Sequence, residues 1–378
     1  MGIMSEIIDV SVANVNSGVA GSGLPILVGV DGSDASYKAV WFASNYAAHA
    51  GLPLRIVCAF TVACTAAYGM GYDDDTIEIQ DILSKSKKIA VEQGIPADKV
   101  YTYAVTGDPA SVLVELSRSC DLIIIGNRGK GGLAERILGT TSSILPAKSS
   151  CPVIVVPFSD DSGRPVHMSS TLKRIVVASD ETPCGIRAMQ IAADIADGWS
   201  AKLDVMSAYP SLNKNKHDDA DRKAIHDEYA RELDARIENI KSTHPDTNIN
   251  GIVHEGGLLK PMLAMSKGVP GDASDVYADS MNMPDMIVVG SRGRAGLTGL
   301  LLGSMSQSLI QHSNIPVYVV PRKYVDYSAW KSERTGDMRK DADRINKQMD
   351  GTVQEIDVDP AETSVIKPII DNIDTDVK

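Results

Sequence analysis

Two stretches of the chain carry the residue types that could hold an anion. The first reads Gly126-Asn-Arg-Gly129, then nine residues to Leu138, then Gly139-Thr140-Thr141-Ser142; the second reads Gly290-Ser-Arg-Gly293, nine residues to Leu302, then Gly303-Ser304-Met305-Ser306. With glycine at about 7% of residues, three glycines at one fixed spacing arise by chance at about one start position in three thousand. Here the spacing occurs twice, each time after an apolar run ending in Gly126 or Gly290, and each time with a hydroxyl residue following.

Such a pattern suits phosphate. Gly126 and Gly129 lack a Cβ, so a strand can turn sharply and bring backbone amides close to a ligand. Gly139 and Gly303 would open the next helix, whose first N–H groups have no helical acceptor and whose dipole end attracts negative charge. Hydroxyls of Thr140, Thr141, Ser142, Ser304 and Ser306 could add hydrogen bonds, and Arg128 and Arg292 add charge. Both loops are locally +2. Plain solvated turns would also use glycine here. At the end of the first strand of each half sits an acid, Asp31 or Asp180. It could take hydrogen bonds from ribose or hold the water shell of a metal, and it could equally cap the following helix.

Positioning these groups requires an open parallel sheet, and the chain has the pattern for two. Pro25-Ile-Leu-Val-Gly-Val-Asp31 is echoed by Lys173-Arg-Ile-Val-Val-Ala-Ser-Asp180, with Asp180 149 residues after Asp31. Cys151-Pro-Val-Ile-Val-Val-Pro157 is echoed by Ile315-Pro-Val-Tyr-Val-Val-Pro321 at an offset of 164, so the second half carries a net insertion of 15 residues near 268–284. Strands are expected near 25–31, 53–60, 99–105, 121–125 and 152–156, alternating with helices near 34–49, 76–93, 109–119 and 140–149. Asp75-Thr-Ile-Glu78 resembles a capping box, and Asp108-Pro109 a cap with a first-turn proline. The second half repeats the order, with a long charged helix near 218–242 expected to be a solvated face. This divides the 378 residues into an extension (1–23), two domains (24–157 and 158–321) and a charged tail (322–378) with 13 acids against 10 bases, expected to be an extended or partly disordered solvated appendage, with a short helix near 337–348 as the alternative.

The double-glycine loops, the strand-one aspartate and the closing Pro-Val-x-Val-Val strand together resemble the universal stress protein family, here as a tandem pair over about residues 24–321. The resemblance implies an α/β fold of two five-stranded parallel-sheet, Rossmann-like nucleotide-binding domains. It also implies pairing through the last strands, 152–156 and 316–320, as an intramolecular pseudo-dimer, and leaves room for a homodimer of whole chains. ATP, with or without Mg2+, is the implied ligand. Asp31, Gly126, Gly129, Gly139, Thr140 and Ser142 would hold it in the first copy, and Asp180, Gly290, Gly293, Gly303, Ser304 and Ser306 in the second. The adenine position on the second strand falls on Phe60 and Tyr209, larger than the aliphatic residue the family suggests, so that stacking on adenine and partial blockage are both open.

Composition narrows the alternatives. Lys+Arg total 37 against Asp+Glu 49, a net charge of −12, which disfavours nucleic-acid and membrane-surface binding. Five scattered cysteines without a Cys-x-x-Cys pair look like reduced cytoplasmic thiols. No Gly-x4-Gly-Lys-Ser/Thr loop is present, and no His-x-x-x-His spacing points to a metal site. A cytoplasmic nucleotide-binding stress regulator is therefore expected, against a slow ATPase or phosphotransferase, or a scaffold with vestigial sites.

Overall fold

The structure is a computed structural model; it describes residues 24–61, 72–129, 138–212, 219–268, 283–292, 302–325 and 353–355. The first copy runs β1 (Ile26–Val30), α1 (Asp34–Ala50), β2 (Leu54–Phe60), α2 (Tyr72–Glu92), β3 (Val100–Thr106), α3 (Pro109–Leu116), β4 (Leu122–Gly126), α4 (Thr140–Lys148) and β5 (Val153–Val156). The second runs β6 (Arg174–Ala178), α5 (Pro183–Trp199), β7 (Lys202–Tyr209), α6 (Asp219–Lys241), β8 (Ile249–Glu255), α7 (Leu259–Ser266), β9 (Met286–Gly290), α8 (Ser304–His312) and β10 (Val317–Val320), followed by β11 (Val353–Glu355).

All eleven strands lie in one sheet, in the order β11-β3-β2-β1-β4-β5-β10-β9-β6-β7-β8. Within each copy the strands are parallel; the copies join where β10 runs antiparallel to β5, with Tyr318 opposite Ile154. The expected pairing of the two last strands is therefore what forms. Continuous aliphatic runs such as Leu122-Ile-Ile-Ile suit strands covered on both faces. One face packs Trp41 and Phe42 of α1 and Ile195 of α5 over Val28 and Val177; the other packs Leu145 and Leu309 over Ile123 and Ile287. Both cores cross the seam: Ile154 and Tyr318 share the first face, and Val153 and Val317 the second. Beyond the strands, the ends of α1 and α5 meet, with His49 stacked on Trp199 at 3.6 Å and its Nε2 2.9 Å from the Gly198 carbonyl.

Helix boundaries follow local chemistry. Ser33 caps α1 by accepting from Ser36 N at 3.2 Å, and Gly51 ends it in the left-handed region at φ 69°. Asp108 caps α3 as the sequence predicts. Two expectations change. Helix α2 begins at Tyr72, so the Asp75–Glu78 pattern lies inside the helix instead of at its cap; acids at 73–75 favour a helix N-terminus wherever in that turn it starts. The tail also departs from a solvated strand of chain, because Val353–Glu355 add an antiparallel strand to the edge of β3, with Val353 opposite Val105. An edge strand offers a row of unpaired backbone groups, and three extended residues suffice to cover part of it. The proposed helix near 337–348 lies outside the described residues, as does most of the 268–284 insertion.

The segment between the copies is held by a buried lysine. Lys38 in α1 is 4% exposed, and its Nζ donates to the carbonyls of Val166 and Phe158, the latter at 3.3 Å. Burial pulls its pKa down from 10.5 to about 8. The folded value lies below the unfolded one, so the unfolded chain holds more protons between about pH 8 and 10.5, and folding stability rises with pH across that window. Lys38→Met is expected to remove this slope, up to about 1.4 kcal/mol per pH unit, in urea unfolding midpoints taken from pH 7 to 10. Equal slopes in the two proteins would show that Lys38 is not the source.

Candidate functional site

In each copy the chain direction across the sheet reverses beside the first strand, between β1 and β4 and between β6 and β9. Ligands of open α/β sheets bind in the crevice outside the carboxyl ends of the strands at such a point. Asp31 follows β1 directly. Its Oδ1 accepts from Ser33 N at 3.0 Å and Ser33 Oγ at 2.6 Å, so the helix cap and the carboxylate are one unit. The glycine loop lies against it: a Cβ placed on Gly129 would overlap Asp31 Oδ2. Acid and loop thus share one crevice, as their sequence positions suggest.

Gly126 serves close packing. A Cβ there would stand 2.8 Å from the Ala35 carbonyl oxygen, so the end of β4 sits directly against the first turn of α1. What these glycines supply is space, since neither has a positive φ. The second copy is built alike. A Cβ on Gly290 would be 2.8 Å from Cys184 Cβ in the first turn of α5, and Asp180 Oδ1 accepts from Thr182 N at 3.0 Å and from the Thr182 hydroxyl. Gly293 lies outside the described residues.

Helices α4 and α8 open at Gly139 and Gly303 with extended backbone and no side-chain cap. The first helical bonds come from Ser143 N to Gly139 O and from Gln307 N to Gly303 O. The amides of Thr140–Ser142 and Ser304–Ser306 precede that first bond and have no acceptor within their helix, the arrangement that binds anions. Thr140 and Ser304 are exposed at the mouth, and Thr141 and Met305 are half-buried. Ser142 and Ser306 are placed differently from the sequence expectation. Both are 2% exposed, and their hydroxyls donate to the loops' own carbonyls, Ser142 to Asn127 O at 3.0 Å and Ser306 to Gly290 O at 2.7 Å. They brace the loop and do not face the crevice. Arg128 reaches Ser159 Oγ at 3.4 Å, and Arg292 is half-buried.

Sequence reasoning overlooked a stitch behind each loop. Asn127 N donates to Val156 O, its Oδ1 accepts from Phe158 N at 3.2 Å, and its carbonyl accepts from Gly139 N at 3.3 Å. Ser291 repeats this with Val320 O, Arg322 N and Gly303 N. Both positions carry a side-chain acceptor, but Asn and Ser are too unlike to stand out in a repeat comparison.

The aromatic positions diverge. Phe60 at the end of β2 is half-buried, whereas Tyr209 at the end of β7 is 4% exposed. The Tyr209 ring stacks on Tyr229 of α6 with centroids 5.2 Å apart and meets His226 edge-on at 6.2 Å. Glu255, its register partner on β8, accepts from Leu212 N at 3.0 Å and pairs with Arg222 at 2.7 Å. Burial and then the Glu255 carboxylate raise the Tyr209 pKa. The face of the Tyr209 ring that stacks on Tyr229 is closed to a base.

Among the described residues, no group of three or more His, Cys, Asp and Glu gathers as a metal site, and no helix is long and apolar enough to cross a membrane. Cys58, Cys120, Cys151 and Cys184 are buried, and among the described residues none forms a disulfide.

Fold and site define a tandem of doubly wound α/β domains, each opening its last helix at a glycine with no side-chain cap. The family model of the universal stress proteins matches residues 24–157 and again 171–321, and the chain belongs to that family. It is 27% identical over 302 residues to the universal stress protein Rv2005c of Mycobacterium tuberculosis, spanning 78% of this chain and 96% of that one. To Rv1996 of the same organism it is 26% identical over 322 residues, spanning 78% and 94%. Among solved structures, a universal stress protein from Archaeoglobus fulgidus superposes with a TM-score of 0.54 at 19% identity, covering 79% of this chain and 97% of its own.

Proposed function

We propose that the protein is an ATP-binding stress regulator of the cytoplasm, in which nucleotide occupancy sets the conformation or partner affinity of the paired domains. The observation that carries this reading is the seating of the Gly129 backbone against the Asp31 carboxylate, beside the uncapped amides of α4. Phosphates would lie on the amides of Thr140–Ser142, with the Thr140 hydroxyl and Arg128 nearby, and ribose hydroxyls would donate to Asp31. A bound Mg2+ keeps several waters and takes one or two carboxylates together with substrate phosphates, and Asp31 is the carboxylate beside this loop. Among the described residues the four cysteines form no disulfide, which suits a reducing compartment.

The reading is tested by purifying the protein from cells, denaturing it and analysing the released small molecules, then titrating the emptied protein with ATP. Adenine nucleotide is expected in the first assay or saturable binding in the second; absence of both would sink the proposal. Turnover of ATP no faster than that of the doubly substituted Asp31→Ala, Asp180→Ala protein is expected, because transfer chemistry needs a positioned base and stabilised charge. A clear excess over that control would make it an enzyme.

A further inference from the structure

We infer that the two crevices are unequal, and that the first copy carries the nucleotide while the second is shut at its base end by Tyr209; this rests on the nucleotide-binding reading above. A nucleotide whose phosphates sit on the amides that open α8 and whose ribose faces Asp180 must extend over the carboxyl end of the next strand, β7. Neighbouring strands lie about 4.8 Å apart, so two steps across the sheet bring the base to Tyr209. There the Tyr209 ring is 4% exposed, covered by Tyr229 at 5.2 Å and edged by His226.

A latch holds this arrangement in place. Glu255, in register with Tyr209, ties the chain leaving β7, through Leu212 N, to the first turn of α6, through Arg222. Copy one cannot build the same latch. Phe60 stands in register with Thr106 just as Tyr209 stands with Glu255, and Thr106 has no carboxylate to hold an arginine. Thr106 is also exposed and Phe60 half-buried. The second copy would have to break an aromatic stack and a charge-assisted pair before admitting a base, and among the described residues no ring stacks on Phe60.

The experiment is a titration of the full-length protein with ATP by calorimetry, repeated on single variants whose folding is checked by thermal melting. Wild type is expected to bind about one nucleotide per chain tightly, and any second site to be at least ~10-fold weaker, which corresponds to about 1.4 kcal/mol for opening the stack. Asp31→Ala should remove the tight site and Asp180→Ala should leave it. Glu255→Thr, matching the residue copy one carries in that register, should strengthen the second site by ~10-fold, and Tyr229→Ala should act in the same direction. Two equal sites in wild type, a tight site lost with Asp180→Ala instead of Asp31→Ala, or folded Glu255→Thr and Tyr229→Ala proteins with an unchanged second site would each overturn the inference while the nucleotide-binding reading stands. Absence of any nucleotide binding would overturn both.

Discussion

Gly129→Val is expected to empty the first crevice, with ATP affinity falling by ~100-fold or more, about 2.7 kcal/mol, while the unfolding midpoint changes little. The β-carbon would overlap Asp31 Oδ2, and that carboxylate has no easy retreat because its other oxygen accepts from both the amide and the hydroxyl of Ser33. Ser33 is in turn the cap of α1, through its bond from Ser36 N. Relief must therefore come from the loop, whose withdrawal moves the amides away from the phosphates they would hold. Gly257→Ala is the control, at a glycine whose added Cβ meets nothing within 4 Å. Undiminished ATP binding by a folded Gly129→Val protein would refute the role assigned to this loop.

The largest expected loss of stability lies away from the site. Asp204 in β7 is fully buried, with Arg174 Nε 2.6 Å from Oδ2, Lys202 Nζ 3.6 Å and Asn250 Nδ2 3.1 Å from Oδ1. Arg174 is 15% exposed, so most of its charge is desolvated as well, while Lys202 at 36% is screened by water. Arg174→Met is expected to cost about 3–5 kcal/mol, because it leaves a buried carboxylate with only a distant lysine and an amide. The double change Arg174→Met, Asp204→Leu should recover most of that loss, since a pair of apolar side chains carries no desolvation penalty. Urea unfolding of the three proteins measures both effects. A double variant no more stable than Arg174→Met alone would show that the loss comes from packing instead of from the stranded charge.

The order of strands and helices, the doubling and the seam were legible because they rest on signals local to a few residues: aliphatic runs, the cap at Asp108, and the recurring Pro-Val-x-Val-Val. The pairing of Asp31 with Gly129 was legible because both must lie at the carboxyl ends of adjacent strands. Less was readable wherever a contact depends on how a helix is rotated over the sheet. The charged helix α6 looks solvated in sequence, and its inner stripe Leu233, Ile237 and Ile240 is short; nothing in its spacing says that Tyr229 lands on Tyr209. Asp204 reads as a polar interruption of an apolar strand, because its partners Arg174 and Asn250 belong to two other strands. Ser142 and Ser306 were read as ligand hydroxyls since their types fit phosphate, but their third position after the capping glycine turns them inward to the loop. The β11 contact is invisible for a simpler reason, being three residues that pair with a strand almost 250 positions earlier.

The seam between β5 and β10 has a consequence in mass action. A dimer of separate subunits loses its interface as it is diluted, whereas a pair joined through residues 157–173 keeps its partner at a fixed effective concentration. Identical subunits must also carry identical sites, because one sequence writes both. Joining the copies in one chain removes that constraint, so one half can hold Phe60 opposite Thr106 and the other Tyr209 opposite Glu255. The covalent link thus gives this protein a lasting pair whose two halves are free to differ.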